Sequence, residues 1–131
     1  LLRLYAYTGE AKYQQVAVGA LRLLTNALGQ YHHGFGEALN AVDMLVRGID
    51  EIAIIGDPKA DATKALLAEI NGKYRPNAIL ALSPVAVGDD GKISLLRGRG
   101  LKGELPTVYV CREMTCKLPV NSVDELRGVL T

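Results

Sequence analysis

Asp50-Glu51-Ile52-Ala53-Ile54-Ile55-Gly56-Asp57 is the stretch on which the fold turns. Ile52 to Ile55 run without a polar interruption, with acidic residues before them and Gly56-Asp57-Pro58 after. A short apolar run bounded in this way fits a strand buried on both faces. Two starts compete for the helix that follows. One is Asp57-Pro58, with Asp as N-cap and Pro at the first helical position; the other is Asp61. The helix runs through Ala65, Leu66, Ala68 and Ile70 and ends at Gly72. Tyr74-Arg75-Pro76-Asn77 then turns the chain into a second apolar run, Ala78–Leu82. Strand, helix and strand make a βαβ unit, whose sheet needs helices on both faces.

Upstream, Leu1–Tyr7 reads as the end of a helix, stopped by Thr8-Gly9. Glu10–Leu28 carries Tyr13, Val16, Ala17, Ala20, Leu21, Leu24 and Leu28 at spacings of three and four, one apolar stripe of a helix. A further helix spans Glu37 to Val46 and stops at Gly48. Downstream, Val85–Gly103 is punctuated by glycines, with Ile93–Leu96 as a short edge strand. Thr107–Cys111 is a third strand, rich in β-branched and aromatic residues. Thr115–Leu118 returns antiparallel to it, and Ser122 with Glu125 forms a capping box for a last helix through Leu126 and Leu130. The expected class is α/β: a small, mainly parallel sheet of about three to five strands flanked by helices. Residues 1–48 form a helical part and 49–131 the α/β part.

The totals set bounds. A chain of 131 residues that is 49% hydrophobic can bury a real core. Fifteen basic and 14 acidic residues leave a net charge of +1 with no basic stripe, which speaks against nucleic acid. No run approaches membrane-spanning length, and the start does not read as a targeting peptide. Two cysteines are too few for a secreted disulfide scaffold and point to the cytoplasm. Leu1 already lies inside an apolar pattern, so more sequence is expected upstream. Uncovered, Leu1, Leu2 and Leu4 form an apolar patch that favours self-association.

Few residues offer chemistry. Gly56-Asp57-Pro58 sits where a strand hands over to a helix, a common phosphate position. It lacks the repeated glycines of nucleotide loops, and Asp57 would repel a phosphate, so a structural turn is the stronger reading. Cys111 and Cys116 would face each other across a hairpin, as buried thiols acting as small hydrophobes or as a reducible pair. A reducing cytoplasm would keep them as thiols, and slow, structural ones are expected, since Arg112 is the one cation in the turn and Glu113 opposes it. His32 and His33 are adjacent and either line a pocket before the next helix or sit in a solvated turn. Arg97-Gly98-Arg99 either grips an anion or serves solubility. No metal cluster, cofactor fingerprint or nucleophile–base–acid set is visible, so the chain is not expected to catalyse a reaction on its own.

Leu105-Pro106-Thr107-Val108-Tyr109-Val110-Cys111-Arg112-Glu113-Met114-Thr115-Cys116-Lys117-Leu118-Pro119 resembles the C-terminal end of the thioredoxin-domain proteins related to spermatogenesis-associated protein 20. Those proteins typically end with Pro-Thr-Ala-Tyr-Val-Cys, a few residues, then Cys and Pro. The Glu51–Gly56 strand, Tyr74-Arg75-Pro76-Asn77 and Thr8-Gly9-Glu10 also look like that family. Tyr31-His32-His33 matches none of its motifs. The resemblance implies an upstream thioredoxin-like domain with a Cys-x-x-Cys motif. It also implies a helical toroid like those of sugar epimerases and six-hairpin glycosidases, to which the first helices here would belong. Those domains are the implied partners, and the chain is a C-terminal structural and interaction module. The alternative the resemblance allows is a share in a sugar-processing or thiol-redox active site.

Overall fold

A computed structural model describes residues 1–113 and 115–130. A four-stranded sheet in the order β2-β1-β3-β4 lies at the centre. Its strands are β1 (Asp50–Ile55), β2 (Ala78–Ser83), β3 (Thr107–Arg112) and β4 (Thr115–Cys116). β1 is an interior strand and its four apolar residues, Ile52 to Ile55, are wholly buried. β1 pairs parallel with β2 but antiparallel with β3, and β3 pairs antiparallel with β4. The sheet is therefore mixed, not mainly parallel as the βαβ pattern suggested. The reason lies in residues 84–106. They form no crossover helix, and they bring the chain back at the end of the sheet where β2 finished, with Thr107 opposite Ile55. A strand entered from that end must run backwards.

Helices cover both faces. On one face Ile52, Ile54, Val108 and Val110 pack on Leu66 and Ile70 of α5 (Asp61–Asn71) and Leu126 of α6 (Val123–Val129). On the other, Ala53, Ile55, Ile79 and Ala81 meet Ala6 of α1 (Leu2–Thr8) and the buried pair Leu95-Leu96. Each valine, leucine or isoleucine among them, fully buried, contributes roughly 1.5–3 kcal/mol. The α6 N-terminus carries the expected capping box: Ser122 accepts from the Glu125 N–H, and Glu125 accepts from the Ser122 and Asn121 N–H groups.

α1, α2 (Ala11–Leu23), α3 (Thr25–Gln30) and α4 (Gly36–Arg47) precede the sheet. Gly9 takes φ 72° after α1, the left-handed cap its sequence position demands. α1 is tied to the free edge of the sheet, where the Tyr7 hydroxyl donates to Leu80 O at 2.9 Å and accepts from Leu80 N at 3.3 Å. Asn77 Nδ2 donates to Asp43 Oδ2 at 2.6 Å, joining α4 to the entry of β2.

Four local expectations change. The Glu10–Leu28 helix breaks at Leu24, where Thr25 turns its hydroxyl back onto Arg22 O at 2.9 Å. Val16 of its stripe is 58% exposed. Asp57 does not cap α5: its Oδ1 accepts from Lys59 N in a tight turn, and the helix starts at Asp61 behind an extended Ala60. Ile93–Leu96 is no edge strand; Ser94–Leu96 form one 3-10 turn that drives Leu95 and Leu96 into the core. The returning strand stops at Cys116, and Lys117 N then donates to Val110 O at 2.9 Å. Among the described residues, no helix is long and apolar enough to cross a membrane.

Candidate functional site

The polar feature that stands out from this apolar frame lies where β3 meets β4. Cys111 and Cys116 are register partners, their Cα atoms 4.0 Å apart, and the structure joins them as a disulfide. The expectation of two free thiols is thus replaced by a bond. Met114, between the two cysteines in sequence, lies outside the described residues. The two ends of the bridge differ: Cys111 is 2% exposed, whereas Cys116 is exposed.

Arg99 reaches the buried end. Its Nη2 donates to Cys111 Sγ at 3.2 Å. The side chain is positioned from the core outward. Leu95 and Leu96 anchor the 3-10 turn, Arg99 N donates to Leu96 O at 3.3 Å, and Arg99 O accepts from Val87 N at 3.0 Å. Gly98, at φ 65°, makes the turn between them, a conformation that glycine adopts freely. The guanidinium lies over the Tyr109 ring, 5.2 Å from its centre, and the Tyr109 hydroxyl donates to Gly100 O at 2.8 Å. Glu51 sits opposite Cys111 in the β1–β3 register, on the same face. Burial raises the Glu51 pKa, and the positive charge of Arg99 opposes that rise. Burial lowers the Arg99 pKa, and Glu51 and Tyr109 oppose it. The set is thus a half-buried cation held against sulfur, with a carboxylate nearby.

The other candidates lie elsewhere. Asp57 is exposed beyond the C-terminal end of β1, whereas Cys111 pairs near the N-terminal end of that strand. His32 and His33 occupy an exposed 3-10 turn between α3 and α4, their rings 4.0 Å apart. The structure does not bring the two histidines to Asp57 or to the cysteines. Of the Arg97-Gly98-Arg99 pair, exposed Arg97 donates to Gly91 O at 2.6 Å, and only Arg99 turns inward. The cation expected beside the cysteines, from its place in the hairpin, is Arg112. That residue instead pairs with Asp50, its Nε and Nη2 within 2.7 and 2.6 Å of Oδ1. The signal for Arg99 was the Arg97-Gly98-Arg99 loop itself. Nothing local to it pointed toward Cys111.

Comparison with known proteins adds context. The chain is homologous along its length to spermatogenesis-associated protein 20. It is 28% identical to the mouse and human proteins and 29% identical to the rat protein, each over 138 aligned positions covering 99% of the chain. An uncharacterized protein of Caenorhabditis elegans is 24% identical over 96% of the chain. The chain spans 17% of the length of each of these relatives. No protein-family model and no solved structure matches it.

Proposed function

We propose that the chain is the C-terminal structural and interaction module of a longer protein, with helices α1–α4 as the surface that meets the preceding part of that protein. One observation carries this reading: these helices bury almost nothing among themselves. Their shared core is Leu2, Ala17 and Met44. Leu1, Leu4, Leu23 and Val46 stay 55, 46, 87 and 77% exposed. An open groove lined by Val18, Leu21, Leu28, Leu39, Val42 and Leu45 runs alongside. A helical layer with so much apolar surface wants a second layer. The 83% of each relative that lies outside the matched region supplies ample chain to form it.

In this reading residues 1–48 continue a helical assembly of the toroid kind implied by the resemblance, and residues 49–131 form an α/β cap. The test is Leu23→Glu with Val46→Glu, made both in the 131-residue chain and in the longer protein that contains it. Light scattering over a concentration series should show the short chain self-associating and the double variant monomeric. In the longer protein the same pair should lower the melting temperature. A strictly monomeric short chain, together with a longer protein indifferent to both charges, would refute the reading.

A further inference from the structure

Independently of the module reading, we infer that the Cys111–Cys116 bridge is a thiol–disulfide exchange site, polarised so that a dithiol attacks Cys116 and Cys111 leaves as a thiolate held by Arg99. Three observations carry it. The bridge is open at one end only, because Cys116 is exposed while Cys111 is 2% exposed. An incoming thiolate therefore meets Cys116 Sγ, and the departing sulfur is the buried one. That sulfur already accepts from Arg99 Nη2 at 3.2 Å. Finally, Arg99 Nη1 is buried and has no hydrogen-bond partner among the described residues. A desolvated guanidinium with an idle donor is costly, and a thiolate beside it recovers part of that cost.

The step balances as an ordinary exchange. The thiolate of the dithiol forms a bond to Cys116 Sγ, and the Cys111–Cys116 bond breaks with its electron pair on Cys111. The second thiol of the dithiol gives up its proton to solvent and attacks the mixed disulfide, releasing Cys116 as thiolate. The dithiol is oxidised by two electrons to its own disulfide, and the protein bridge is reduced to two cysteines. A lower leaving-group pKa speeds departure, and the nearby cation supplies it; Tyr109 beneath the guanidinium holds it in place. Glu51, opposite Cys111, draws on the same charge and moderates the effect without abolishing it. Reduction leaves β4, two residues long, with only its backbone pairing to β3.

The experiment uses the aerobically purified 131-residue chain. Reduced glutathione is added, the mixture is trapped with iodoacetamide, and each cysteine is mapped by mass spectrometry. The expected product carries glutathione on Cys116 and the alkyl group on Cys111. Reduction by dithiothreitol should be about tenfold slower in Arg99→Met than in the parent, and near the parent rate in Arg99→Lys. In the reduced proteins, Cys111 should titrate lower in the parent than in Arg99→Met. If Arg99→Met does not fold, the glutathione map and Arg99→Lys decide. Glutathione on Cys111, a folded Arg99→Met or Arg99→Lys whose rates contradict this order, or an aerobic chain without the bridge would each overturn the proposal.

Discussion

Tyr7→Phe is the sharpest test of how the N-terminal helices belong to the sheet. The substitution deletes one oxygen atom that makes two bonds, to Leu80 O at 2.9 Å and from Leu80 N at 3.3 Å. A net intramolecular hydrogen bond contributes about 1 ± 0.5 kcal/mol. The 3.3 Å bond is the weaker, and Leu80 lies on an edge strand where water partly replaces the lost hydroxyl. The expected loss is therefore about 1–2 kcal/mol rather than the full penalty of two orphaned groups. With an unfolding entropy of about 2.1 cal/mol/K per residue over 131 residues, that corresponds to a drop of roughly 4–7 °C in melting temperature. Tyr74→Phe is the control, since Tyr74 is 88% exposed and its change should lie within about 0.5 kcal/mol. Calorimetry gives the melting temperatures, and amide hydrogen exchange reads the Leu80 N–H directly. If Tyr7→Phe melts with the parent and Leu80 exchanges at the parent rate, the Tyr7 hydroxyl does not help anchor α1 to the sheet.

Three further outcomes follow from the packing and the caps. Gly56→Ala should destabilise the chain by about 1–3 kcal/mol in chemical denaturation, because a Cβ there would stand 2.7 Å from Pro106 Cβ and 2.9 Å from Thr63 Oγ1; a neutral result would mean that this contact yields freely. Ser122→Ala should cost about 1 kcal/mol at neutral pH through loss of the α6 cap. The pH course follows from Glu125, whose carboxyl is held below the usual carboxylate range chiefly by the Asn121 backbone N–H and then by Ser122. A carboxyl depressed in the folded state stabilises above its unfolded pKa, and that stability is lost as pH falls through the folded value. The difference between parent and Glu125→Gln should therefore be present at pH 7 and vanish in acid; a difference that persists at pH 2 would contradict the box.

Much of the frame was written locally. The uninterrupted Ile52–Ile55 run can satisfy its apolar side chains only between two covered faces, so β1 was legible as a buried strand from its residues alone. Gly9 and the Ser122–Glu125 box were legible because caps depend on a few adjacent residues. The resemblance to relatives of spermatogenesis-associated protein 20 also held, over 99% of the chain, since homology runs through the residues themselves. Strand direction did not read out. A βαβ pattern fixes only β1 against β2, and the direction of β3 depends on the end of the sheet from which residues 84–106 return. The same loop decided the site. Its glycines looked like punctuation, yet burial of Leu95 and Leu96 orders it and carries Arg99 onto a sulfur twelve residues away. Sequence spacing specifies which groups share one helix turn or one hairpin. Which loop is pulled across a sheet face depends on the apolar surface the whole fold leaves to be filled, and only the tertiary structure settles that.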